Sequence, residues 1–184
     1  MAGWALTFKR HAVALDCYTR ILAKWPDDTA TLIRVACLHA DTGDHATAIP
    51  GFRQALALRP ENADVWFNLA YLHQQQQDHT AAIGAFGRAL AINDRHDLSF
   101  YGLALSLIAT ARFDEAIAPL KRNIELQPMS PHGFMALARL YFRLGDRGQC
   151  EKLMRQLKAF DPQSAAALED ETSIGIGIER WWKH

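Results

Sequence analysis

The segment "HADTGDH" at 39–45 sets His39, Asp41, Asp44 and His45 close together. Those side-chain types hold zinc or move protons when they converge. Its Asp-Thr-Gly triplet also occurs in aspartic proteases, and "GIGIER" at 175–180 has part of the glycine spacing of a dinucleotide loop. Each idea fails on context. The triplet falls on a turn between helical patterns, and "GIGIER" lacks the third glycine and the strand-to-helix setting. His39 recurs as His73, and His45 as His79, each 34 residues on, so repeat copying produces the spacing without a selected ligand set. No GxSxG, P-loop or HExxH occurs. Cys17, Cys37 and Cys150 form no CxxC pair, which argues against a disulfide or zinc framework. The expectation is a non-enzyme with no catalytic residues, no cofactor and no metal.

Composition narrows the partners. Twenty basic residues balance twenty acidic ones in 184, so the chain lacks the electrostatic footprint of a nucleic-acid or anionic-membrane binder. With 49% hydrophobic and 22% charged residues, it reads as folded. The opening "MAGWALTFKR" has an apolar stretch too short for a signal peptide, and its basic pair comes after that stretch. No segment has the length of a membrane span. A cytoplasmic setting is expected.

What must position any functional residue is a repeat. Pro26, Pro60, Pro128 and Pro162 lie on a 34-residue ruler, with Asp94 at the remaining tick. Ala14, Ala48, Ala82, Ala116 and Cys150 form a row of small residues, and Tyr18, Phe52, Phe86, Leu120 and Met154 a row of large ones. Leu32, Trp66, Phe100 and Phe134 form a third, and Ala36, Ala70, Ala104 and Ala138 a fourth. Each period divides into two amphipathic helical patterns separated by a polar turn. Small residues let paired helices approach, and the large rows fill the space above and below. Pro50 and Pro119 stand inside second helices, where missing backbone bonds predict local kinks.

These residues resemble the tetratricopeptide repeat (TPR) family. Trp66, Leu69, Ala70, Ala82, Phe86 and Ala89 match its pattern. The resemblance implies an all-α fold, a right-handed α-solenoid of antiparallel helix pairs with about five units, a C-terminal cap and a tail. The solenoid is expected over 1–170, with an incomplete first unit at 1–28, full units at 29–62, 63–96, 97–130 and 131–164, and a cap at 164–171. The tail is 172–184. Two departures stand out: Asn123 in a row otherwise small or apolar, and Lys158 in a row held by Leu22, Leu56, Leu90 and Ile124. A lysine there says that no standard repeat comes after it.

The resemblance also implies that first helices line a concave groove. On that basis the expected groove residues are Ile33, Arg34, Phe67, Asn68, Tyr71, Tyr101, Leu105, Arg139, Phe142 and Arg143, with Cys37, Asp41, Asp64, Gln74, Gln75, Leu98, Ile108, His132 and Met135 at the remaining groove-facing positions. Aromatic and arginine side chains dominate binding hot spots. A fitting ligand is an extended or helical peptide with apolar anchors and an acidic group near the arginines. Neither the lysine clamp for acidic chaperone tails nor the asparagine ladder of sugar transferases is met.

The tail stands outside every row. Ile174, Ile176 and Ile178 alternate with glycine, an extended pattern, and Trp181 and Trp182 add a large apolar area. The tail is expected to contact the chain's own last unit or groove, or a neighbouring copy. The leading functional expectation is a non-catalytic adaptor or chaperone-like scaffold for a protein or peptide partner. The alternatives are a self-assembling homo-oligomeric scaffold joined through the first unit and the Trp tail, or an accessory subunit of an enzyme or secretion complex.

Overall fold

A computed structural model describes residues 2–179; of residues 2–10 only the helical backbone is described. The described residues form ten α-helices and no strand, in two compact units. The first unit, Met1–Asp94, holds α1 (Ala2–Lys24), α2 (Thr29–Asp41), α3 (His45–Leu58), α4 (Ala63–Gln75) and α5 (His79–Ile92). The second, Arg95–His184, holds α6 (Asp97–Ala109), α7 (Phe113–Leu126), α8 (Pro131–Arg143), α9 (Arg147–Lys158) and α10 (Pro162–Thr172). The architecture is all-α, with α2 paired with α3, α4 with α5, α6 with α7 and α8 with α9.

Local chemistry explains the boundaries. Helix starts leave backbone N–H groups unpaired, and short polar side chains accept from them. Asp44 accepts from Thr47 N at 3.2 Å, Asn62 from Val65 N at 3.1 Å, Asp78 from Ala81 N at 3.1 Å and Asp146 from Gln149 N at 3.0 Å. Within pairs, the turn always passes through one left-handed residue at the same repeat position: Gly43 (φ 80°), Gln77 (61°), Ala111 (58°) and Gly145 (80°). Glycine is cheap there; glutamine and alanine are not.

In the first unit, Leu32, Ala36, Ala48, Phe52, Leu56, Val65, Leu69 and Leu72 are buried. A Cβ added to Gly51 would come within 3.1 Å of the Ala36 Cβ, a measure of how closely α2 and α3 approach. In the second unit, Ala116, Leu120, Leu137, Ala138, Cys150, Met154 and Leu168 are each at most 1% exposed. From Ala48 and Phe52 onward the rows of small and large residues are therefore core rows, while Ala14 and Tyr18 are only partly buried. Helices α3 and α7 continue through Pro50 and Pro119 as unbroken α-helices, so the lost backbone bond ends neither element.

The two off-pattern residues have specific partners. Asn123, 5% exposed, donates from Nδ2 to the Asp97 carbonyl at 3.0 Å. It lies against Gly133 of α8, where a Cβ would overlap its Oδ1. Lys158 Nζ donates to the Gly177 carbonyl at 2.7 Å and faces that of Ile176 at 3.4 Å. Ile174 and Ile176 are buried (7% and 5% exposed). The extended segment after α10 thus lies on the chain's own α9 and α10. Trp181 and Trp182 lie outside the described residues.

Candidate functional site

In the first unit, side chains of α2, α3 and α4 enclose a pocket of about 410 Å³. Its apolar part is Ala40, Phe52, Phe67 and Leu72, and its polar part is Asp41, His45, Asn68 and Gln75, with Cys37 and Tyr71 between. Helical spacing produces this: residues 37, 40 and 41 fall on one stripe of α2, and 67, 68, 71, 72 and 75 on one stripe of α4. Phe67 stacks on Tyr71 with ring centroids 6.4 Å apart and meets Phe86 at 6.0 Å. That leaves Tyr71 supported from one side yet 47% exposed.

Burial, and then the Asp41 charge, push the Cys37 thiol above its ordinary pKa, while Arg34 opposes them. A thiol held protonated is a poor nucleophile. Asn68 Nδ2 faces the Cys37 sulfur at 4.0 Å, a weak contact that leaves amide capacity for another partner.

The histidines serve the fold. His39 Nδ1 lies 3.1 Å from Asp44 Oδ2, and His73 Nδ1 3.5 Å from Asp78 Oδ2, each joining the end of a first helix to the cap of the next. For His73 the separation is an ion-pair distance without hydrogen-bond alignment, since its Nδ1 has no hydrogen-bond partner. Its Nε2 faces Arg53 at 3.5 Å. Arginine only donates, so that nitrogen accepts and the ring proton sits on Nδ1. Among the described residues no three His, Cys, Asp or Glu side chains converge as a metal cluster.

In the second unit, Tyr101 and Leu105 of α6 are half-buried, and the Tyr101 ring lies 6.2 Å from His132 of α8. Burial raises the Tyr101 phenol pKa, against a lowering by Arg139. Arg139 makes a bidentate ion pair with Glu171 of α10, both bonds 2.7 Å. Arg143 places its guanidinium 4.4 Å from the centroid of Phe113, beside an exposed Phe142. The acidic group expected near the arginines is thus supplied, for Arg139, by the chain itself.

The structure therefore brings Phe67, Asn68 and Tyr71 to one pocket with Cys37, Asp41 and Gln75. Ile33 packs instead on the first-unit core, and Arg34 is exposed on α2. Sequence reasoning missed Ala40, His45, Phe52 and Leu72 as pocket residues, and Glu171 as the Arg139 partner. Phe52 was visible as a member of the large row, but a row does not tell which buried ring forms the wall of a pocket.

A helix-pair array with aromatic first-helix faces is the architecture of a repeat protein. The family model for the tetratricopeptide repeat matches residues 33–97 and 101–165. The chain belongs to that family. Among solved structures it is similar to a crystal structure of MamA, at 22% identity over 91% of this chain and 93% of that one, with a TM-score of 0.78. A MamA from Desulfovibrio magneticus RS-1 is similar at 16% identity, 92% and 91% coverage and a TM-score of 0.74. YrrB, described as a TPR protein with an unusual peptide-binding site, is similar at 16% identity, 92% and 88% coverage and a TM-score of 0.78. No curated protein matches the sequence. Among the described residues no helix is long and apolar enough to cross a membrane.

Proposed function

We propose that this protein is a non-catalytic interaction module, an adaptor or chaperone-like scaffold, that holds a peptide segment of a partner protein on its first helices. The observation that carries this reading is the first-unit pocket. About 410 Å³ suits one or two apolar side chains. Phe67 and Tyr71 supply stacked aromatic area, and Asn68 and Gln75 supply donors and acceptors for a peptide backbone at its edge. Asp41 at the same edge favours a ligand carrying a donor or positive charge beside its apolar anchor. In the second unit Tyr101, Leu105 and Phe142 offer apolar contact of their own, with Arg143 beside Phe142. The peptide site named for YrrB supports the same use of the fold.

The test is a peptide-display selection on the folded protein, followed by affinity measurements. Tyr71→Ala and Asn68→Ala should each weaken the selected peptide by about tenfold, as expected for an interface anchor, with unchanged helicity. Peptides that bind both variants as well as wild type would remove the pocket from the reading.

A further inference from the structure

Beyond α10 the chain turns at Ser173, a serine in the left-handed region (φ 55°), and continues without helix or strand bonds. Side chains hold this segment in place. Ile176 N donates to Glu169 Oε1 at 2.7 Å, Ile174 N faces the Thr172 hydroxyl at 3.3 Å, and Lys158 takes the carbonyls of Ile176 and Gly177. Alternate side chains, Ile174 and Ile176, are buried, while Gly175 and Gly177 face outward. This is how an extended peptide ligand is bound: polar groups read its backbone, and pockets read every second side chain.

The contacts define a preference. Positions 174 and 176 need branched apolar residues. Position 175 is permissive, because a Cβ there meets nothing within 4 Å. Position 177 has φ +68° and favours glycine. We propose that the α9–α10 face is a binding site for such an extended apolar-x-apolar-Gly segment, and that residues 174–177 of a second copy of this chain can replace the resident ones. Site and segment belong to one chain, so two copies exchanging segments keep every contact reciprocally. The exchanged form also gains something. The backbone at Ser173 no longer has to fold back, and its strained left-handed conformation is released. This site is distinct from the first-unit pocket and does not depend on the function proposed for it.

Two measurements on the full chain test it. Sedimentation velocity from about 1 µM to about 1 mM spans the effective concentration of a short tether. It should show a dimer whose association constant rises about fivefold per hinge in Ser173→Val and falls about fivefold in Ser173→Gly, in line with the cost of φ > 0. A labelled peptide of residues 172–179 should bind Ile174→Asp/Ile176→Asp protein at least tenfold more tightly than wild type, whose own segment competes. Adding Lys158→Met should weaken that binding by about tenfold, the scale of a lost charge-assisted bond. Equal peptide binding by wild type and the displaced variant, or none by a folded displaced variant, overturns the proposal. If the displaced variant melts, the Ser173 series decides alone: the order Val, wild type, Gly supports exchange, and one unchanged mass throughout refutes it.

Discussion

Gly133→Ala should destabilise the protein, although alanine is the better helix former by about 1 kcal/mol. The reason is local. The new methyl would overlap Asn123 Oδ1 and stand 3.0 Å from Ile124 Cγ1. Asn123 is 5% exposed and donates to the Asp97 carbonyl at 3.0 Å, so turning away costs a buried bond, about 1–3 kcal/mol. Staying in place costs overpacking of similar size, about 1–3 kcal/mol. After the propensity gain the net loss is about 0–2 kcal/mol. Urea unfolding monitored by far-UV circular dichroism reads this directly, with the slope checked for two-state behaviour. Asn123→Ala alone should cost about 1–2 kcal/mol through the lost bond. The double variant should be more stable than the sum of its parts by about 1 kcal/mol or more, because neither side chain then crowds the other. A stabilising Gly133→Ala, or strict additivity, would refute the reasoning.

Ala111→Gly and Gln77→Gly should each stabilise the fold by about 0.5–1 kcal/mol, by removing a side chain from a left-handed position (φ 58° and 61°); thermal melts will show it as a raised midpoint. His73 is buried, and burial lowers its pKa below the ordinary 6.5, with Asp78 opposing and Arg53 reinforcing. The unfolded chain therefore protonates first. The contribution of His73 is complete above pH 6.5 and is lost as pH falls through that value towards the folded pKa. His73→Tyr should flatten that part of the stability profile, measured as the difference from wild type across pH. The Arg139–Glu171 pair is half-exposed on both sides, so a double-alanine cycle should give a coupling of only about 0.5–1 kcal/mol. Bonding to Arg139 lowers the Glu171 carboxyl pKa below 4.5. The coupling should accordingly persist above pH 4.5 and fade as acid protonates the carboxylate.

The helix pairs were legible because a strict period repeats one packing solution. Rows such as Ala48, Ala82, Ala116 and Cys150 are fully buried, and only small residues permit that approach. The first-unit pocket was partly legible, since Phe67, Asn68 and Tyr71 fall on the stripe of α4 that the next helix leaves uncovered. What rows read singly conceal is compensation between rows. Asn123 looked like an intruder because its apparent misfit is resolved by Gly133, in a different row. Arg139 looked available because its partner, Glu171, lies where the repeat pattern has stopped and spacing no longer predicts neighbours.

Lys158 of α9 shows the same principle. Its row in earlier repeats carries leucine or isoleucine, side chains suited to packing on another helix. A helix turns its carbonyls inward to its own N–H groups, so an apolar contact meets all that it presents. An extended segment has no such internal bonds and arrives with its carbonyls unpaired. An apolar side chain facing it would leave the part-buried Ile176 carbonyl without a partner, at about 1–3 kcal/mol, whereas an ammonium with three donors can serve it and its neighbour together. Lys158 does this for Ile176 and Gly177. The residue that departs from its row is thus also the one that fits an extended segment lying on α9. Lys158→Leu, restoring the row, should loosen the segment: amide exchange at Ile176, whose N–H is bonded to Glu169, should accelerate by about tenfold or more, as when local protection drops, while the amides of α9 and α10 stay protected. Unchanged exchange at Ile176 would mean that the isoleucines and the Glu169 and Thr172 contacts hold the segment without Lys158.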